Sequence, residues 1–123
     1  MDGSRIVILV ADDEELVRNM VAAIVRGDGY HVLIASDGAE ALDLARRYHG
    51  HIHLLVSDVQ MPGMNGIEFA RHLLEDRPAV KVLLISGTPE TDIPPPFRFL
   101  AKPFTPAVLR QAMGDLLAAH GGC

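Results

Sequence analysis

Five short apolar runs rich in β-branched residues punctuate the chain, beginning near Arg5, Tyr30, Ile52, Val80 and Phe97. Each is nearly continuous in hydrophobicity rather than alternating, the pattern of strands covered on both faces. Helical periodicity or turn residues separate the runs, which is how βα units around a parallel sheet read. The expectation is a three-layer α/β sandwich whose helices bury all five strands. A chain of 123 residues has the size of one domain, so a single domain over 1–123 with no output domain is expected.

The segments between the runs carry their own signals. A first helix has Leu16, Val17, Met20 and Ile24 on one face and stops at Gly27 and Gly29. A second takes Asp37 as N-cap with Glu40 three residues on, buries Ala41, Leu42, Ala45 and Tyr48, and stops at Gly50. A third covers 66–76, with Ile67, Ala70 and Leu74 inward and Pro78 barring continuation. The last opens on Thr105 and Pro106, buries Val108, Leu109, Ala112, Met113 and Leu116, and ends at Gly121 and Gly122. Residues 86–96 break the pattern. They hold Pro89, Pro94, Pro95 and Pro96 with almost no apolar periodicity, so a loop or a single helical turn is expected there, with the fourth helix shortened or missing.

Composition narrows the function classes. Apolar residues make up 49% and charged residues 22%, enough for a core and unlike a disordered chain. A net charge of -5 and the lack of a Lys/Arg cluster argue against direct nucleic-acid binding. The apolar run at 6–11 is too short for a signal-peptide core or a membrane span. A lone cysteine, Cys123, leaves no internal disulfide. We therefore expect a cytoplasmic protein without membrane contact; a monomer or weak dimer is also expected, on grounds other than these residues.

In an open parallel sheet ligands bind at the carboxyl ends of the strands. Four such ends carry chemistry: Asp12-Asp13-Glu14-Glu15 after the first run, Ser57-Asp58 after the third, Ser86-Gly87 after the fourth and Lys102-Pro103 after the fifth. Each has a plain structural explanation when taken alone, as a cap, a turn residue or a solvated charge. Brought together they form an acidic cup flanked by a hydroxyl and an amine. Neighbouring carboxylates there would repel by about 4 kcal/mol per close pair at an effective dielectric near 20, which calls for a cation. An oxygen-only donor set suits magnesium and disfavours zinc. A carboxylate nucleophile, a magnesium ion, a lysine and a hydroxyl suffice for phosphoryl transfer, with Asp58 as the nucleophile.

Asp12-Asp13, the stretch from Asp58 through Gln60, Met61-Pro62-Gly63-Met64-Asn65 to Gly66, Ser86-Gly87 and Lys102-Pro103-Phe104 resemble, in order and spacing, the signature of bacterial two-component response-regulator receiver domains. The resemblance covers essentially the whole chain. It implies a flavodoxin-like (βα)5 fold with strand order 2-1-3-4-5. It also implies that Asp12 and Asp13 hold Mg2+ with Asp58 and the backbone carbonyl of Gln60, and that Asp58 accepts a phosphoryl group. Ser86 and Lys102 would grip phosphoryl oxygens, Phe99 would act as a rotamer switch, and the Lys102–Pro103 peptide would be cis. The partners implied are a histidine kinase or phosphotransfer protein and an unknown downstream protein. The protein would be a signalling phosphoacceptor, not an enzyme. The proline-rich 89–96 segment departs from the family and is similar to receiver domains of hybrid histidine kinases.

Two rival readings compete. A magnesium-dependent phosphatase turning over an aspartyl-phosphate shares the carboxylate chemistry, but the second acid expected two residues after the nucleophile is replaced by Gln60. A phosphorylation-independent interaction module would explain the altered crossover but not the complete set of chemical residues. The alternating His49, His51 and His53 straddle Gly50 at a strand start and read as surface and edge residues rather than metal ligands. Met61 and Met64 read as filling of the loop after Asp58.

Overall fold

Val7–Ala11 (β1), His31–Ala35 (β2), Leu54–Asp58 (β3), Lys81–Ser86 (β4) and Arg98–Ala101 (β5) pair in parallel in the order β2-β1-β3-β4-β5. The computed structural model describes residues 5–88, 93 and 97–121. Among the described residues four helices accompany the strands: Glu15–Gly27 (α1), Gly38–Arg47 (α2), Gly66–Asp76 (α3) and Pro106–Gly121 (α4). Strand side chains alternate between the two faces of the sheet, and two cores result. Leu9, Leu55 and Leu84 pack with Ala41, Ala45, Phe69 and Leu73 of α2 and α3. Ile8, Val10, Val56, Leu83 and Ile85 pack with Val21, Val25, Leu109 and Met113 of α1 and α4. This is the flavodoxin-like three-layer sandwich.

The expected burial of all five strands holds for β1, β3 and β4 and fails at the edges. β2 is half-buried except at Ala35, and in β5 Arg98, Phe99 and Ala101 are exposed. Among the described residues each edge strand has one neighbouring strand, so one of its sides lacks the cover that β1, β3 and β4 have.

Two helix faces also differ from expectation. Leu16 is 86% and Met20 40% exposed, whereas Val21, Ala22, Ile24 and Val25 are buried and Val17 packs beside them. Residues 17, 21, 24 and 25 form the longer i, i+4, i+7, i+8 stripe, and Leu16 and Met20 form a shorter one turned to solvent. In α4 the stripe is Leu109, Ala112, Met113 and Leu116, and Val108 beside it is 47% exposed. In α3 Ala70 is fully buried as expected, Phe69 and Leu73 are equally buried beside it, and Ile67 and Leu74 are partly buried.

Caps follow the local sequence. Asp37 accepts the Glu40 amide at 2.8 Å, while the Glu40 carboxylate takes the amide and hydroxyl of Ser36. Asn65 and Glu68 form a complete capping box on α3, and Thr105 Oγ1 accepts from Val108 at 3.2 Å. Met61 is buried and Met64 partly so, both against the α2/α3 core. The expectation for 86–96 falls largely on residues 89–92 and 94–96, which lie outside the described residues, as does Cys123.

The amino ends of the strands form a structural corner. Arg77 donates to the carbonyls of Gly50, Ala45 and Tyr48 at 2.7, 2.9 and 2.6 Å, satisfying acceptors at the end of α2. Arg46 pairs with Asp76 at 2.9 Å. Both arginines line a cavity of about 570 Å³ with His51. His49 and His51 are exposed, and His53 Nδ1 accepts the Val7 amide at 3.0 Å.

Candidate functional site

The carboxyl ends of β1, β3, β4 and β5 meet at the opposite edge of the sheet, because a parallel register sends every strand the same way. Asp12 follows β1, Asp58 closes β3, Ser86 closes β4, and Lys102 follows β5. Asp58 pairs with Ile85 and Ser86 with Ala101, and the Lys102 amide donates to the Ser86 carbonyl at 2.9 Å. Backbone pairing alone therefore brings the four together.

Asp12, Ser86 and Asp58 are buried, at 2%, 1% and 4% exposure. Carboxylate oxygens of Asp12, Glu14 and Asp58 all lie within 4.8 Å of one another, and among the described residues this is the one group of three or more His, Cys, Asp or Glu side chains with metal-binding geometry. Lys102 Nζ reaches into the cluster, 3.0 Å from Glu14 Oε1, 3.5 Å from Asp58 Oδ1 and 3.8 Å from Asp12 Oδ2. One ammonium thus faces three carboxylates.

The electrostatics record that imbalance. Burial pushes the Asp12 carboxyl up to about 6, opposed by the Glu14 amide that donates to Oδ1 at 2.9 Å and reinforced by the charge of Asp58. Burial likewise raises Asp58, against the pull of Lys102 and the Gln60 amide, with Asp13 adding repulsion. Lys102 is raised despite its desolvation, by the Glu14 hydrogen bond and the carboxylates around it. Hard oxygen donors crowded around too little positive charge fit a divalent cation of the magnesium type.

The remaining expected residues take the following places. Asp13 is exposed and stands outside the 4.8 Å group, acting on Asp58 through its charge. Gln60 is exposed and its side chain donates to Thr88 Oγ1 at 2.6 Å. Ser86 Oγ accepts the Thr88 amide at 3.0 Å. Phe99 sits on β5 opposite Leu84, 36% exposed. The Lys102–Pro103 peptide is cis. Glu14 is the addition: it stood in the acidic run without an assigned role, and its 3.0 Å bond to Lys102 spans 88 residues of sequence, beyond any local signal.

Two glycines shape the loop after Asp58. Gly63 has φ +77°, a left-handed turn position that suits glycine. At Gly66 an added Cβ would lie 2.2 Å from the Asp58 carbonyl oxygen, so α3 begins directly against the backbone of Asp58. The Gly66 amide donates to the Val59 carbonyl at 2.8 Å.

Comparison with known proteins places these features in one family. Residues 8–114 match the family model described as the response regulator receiver domain. The chain is 34% identical over 123 residues to the sensor kinase CckA of Brucella abortus, covering 95% of this chain and 13% of that protein. It is 36% identical over 104 residues to the response regulator receiver protein CpdR of Brucella abortus, covering 80% and 84% respectively. The first three curated relatives are covered over only 13% to 54% of their length. The crystal structure of a receiver domain from the hybrid histidine kinase CckA superposes with a TM-score of 0.80 at 36% identity, covering 90% of this chain and 98% of that one. Among the described residues no helix is long and apolar enough to cross a membrane.

Proposed function

The chain belongs to the response regulator receiver domain family of two-component signalling, and from that premise we propose that Asp58 accepts a phosphoryl group from a phosphohistidine in a partner histidine kinase or phosphotransfer protein. An Asp58 oxygen forms the bond to phosphorus as the bond between phosphorus and the donor imidazole nitrogen breaks. The electron pair of that bond stays with the imidazole. The observation that carries this reading is the buried Asp58 carboxylate, 3.5 Å from Lys102 Nζ and sharing a cluster with Asp12 and Glu14.

Asp12 and Asp13, with Asp58 and the Gln60 carbonyl, would hold magnesium, which neutralises charge on the transferring phosphoryl oxygens. Lys102 supplies a point charge for one phosphoryl oxygen. The Ser86 hydroxyl donates to another, exchanging its present contacts for the phosphoryl group. The added charge of about -1.5 to -2 thus draws β4 and β5 toward Asp58. Phe99, three residues before Lys102, then turns inward from its exposed position and changes the surface offered to a downstream protein. The role is that of a signalling domain whose only chemistry is its own phosphorylation and dephosphorylation.

Intact-protein mass after incubation with phosphoramidate tests the reading. One phosphoryl mass should be gained by wild type with magnesium, and none without magnesium or by Asp58→Asn. Labelling that survives Asp58→Asn would remove Asp58 from this role, and no labelling of wild type would favour a phosphorylation-independent interaction module.

A further inference from the structure

The nearest carboxylate to Lys102 is not one of the two buried aspartates but Glu14, at the rim. Its Oε1 lies 3.0 Å from Nζ, against 3.5 Å for Asp58 and 3.8 Å for Asp12. Glu14 occupies the N-cap of α1, a position where a short polar side chain ordinarily accepts an amide of the first turn. Here the cap side chain makes no such bond. The backbone of Glu14 is fixed instead, its amide on Asp12 Oδ1 at 2.9 Å and its carbonyl accepting the Arg18 amide at 2.9 Å. The carboxylate is thus held at the mouth of the cup by anchored backbone, with Lys102 as the partner it reaches. The Glu14 side chain is 61% exposed and that of Lys102 19%, so the ammonium bridges an exposed carboxylate at the rim and the buried Asp58, with its shortest contact on the rim side.

We propose that Glu14 is a positioning residue that parks the Lys102 ammonium at the rim of the site, so that phosphoryl transfer to Asp58 requires Lys102 to exchange Glu14 for a phosphoryl oxygen. The inference rests on the phosphoacceptor reading above. It assigns Glu14 a restraining role. Removing its charge leaves Asp58 and Asp12 as the only described carboxylates within 4 Å of Nζ, and the ammonium settles where the incoming phosphoryl group needs it. Because the pair is solvent-exposed on the Glu14 side, its influence is limited to that of a surface ion pair, about two- to fivefold in rate.

The test is the rate constant for phosphoramidate labelling of Asp58 at saturating magnesium, which separates an effect on Lys102 from an effect on metal affinity. Glu14→Gln, which keeps the shape and loses the charge, should label about two- to fivefold faster than wild type. In a Lys102→Met background the same substitution should change the rate by less than about 1.5-fold. A purely structural role for Glu14 would not depend on Lys102 in this way. A readout independent of turnover is the 15N shift of the Lys102 ammonium, which should move on Glu14→Gln. An unchanged or slower rate in Glu14→Gln, an equal gain in the Lys102→Met background, or an unmoved ammonium signal would each overturn the proposal. Wild type that does not label at all would overturn the phosphoacceptor reading itself, and this inference with it.

Discussion

Replacing Gly66 by alanine should damage both stability and labelling, although alanine is the better helix former. Gly66 is the first residue of α3 and has no positive φ. On helix propensity alone the substitution would be neutral or stabilising by up to about 1 kcal/mol. Its Cβ, however, would lie 2.2 Å from the Asp58 carbonyl oxygen and 3.0 Å from the Asp58 carbonyl carbon and Val59 Cα. All three are backbone atoms, so no side chain can swing aside. Restoring ordinary contact moves α3 and the Asp58–Val59 peptide apart by about 1 Å, and overpacking of this kind costs about 1–3 kcal/mol. A displacement of that size at a reacting group can also slow the chemistry by about 100-fold. Urea denaturation followed by circular dichroism, together with phosphoramidate labelling under conditions where both proteins are fully folded, separates the two effects. A Gly66→Ala protein with wild-type stability and wild-type labelling would show that α3 is not set against Asp58 as described.

Metal-free stability should fall as pH rises from about 4 to about 6.5, because the Asp12 carboxyl is raised from 3.8 to about 6. A raised carboxyl contributes stability that is present below the unfolded value and lost as pH rises through the folded value, here about 3 kcal/mol at most. Magnesium should restore the loss near pH 7 and do little at pH 4.5, read from thermal midpoints with and without the ion. Arg77→Met should destabilise by about 2–4 kcal/mol, since three carbonyls at 2.6 to 2.9 Å lose a charged donor. Labelling of the folded fraction should be retained, because Arg77 lies at the other end of the sheet.

The strands were legible because parallel strands covered on both faces leave an unbroken apolar run, and the observed starts fall within two residues of those read from the chain. Edge burial was not legible. β5 has one neighbouring strand among the described residues, so its apolar Phe99 stands exposed and Leu100 half-buried, and nothing in RFLA distinguishes that state from a central strand. Leu16 and Met20 misled for a related reason. α1 carries two apolar stripes, at 16 and 20 and at 17, 21, 24 and 25, and periodicity ranks their lengths but does not say which way a helix is turned. The glycine at 66 was visible as a helix start, whereas its contact with the Asp58 carbonyl depends on the path of the intervening loop.

The site was legible to the depth that strand ends reach. Parallel pairing makes Asp12, Asp58, Ser86 and Lys102 neighbours once the strands are placed, so their convergence needs no side-chain information. What the side chains do next is a competition for one ammonium, decided by differences of less than 1 Å. Asp13 and Glu14 are both acidic and adjacent in sequence, yet the turn from β1 into α1 sends Asp12 and Glu14 to the cluster and leaves Asp13 exposed. In a site with three carboxylates and one lysine, any cation or phosphoryl group that enters must redistribute those contacts. Glu14, the most exposed of the three acids, is the one that water can readily re-solvate when it releases Lys102, which is why the exchange is expected to begin there.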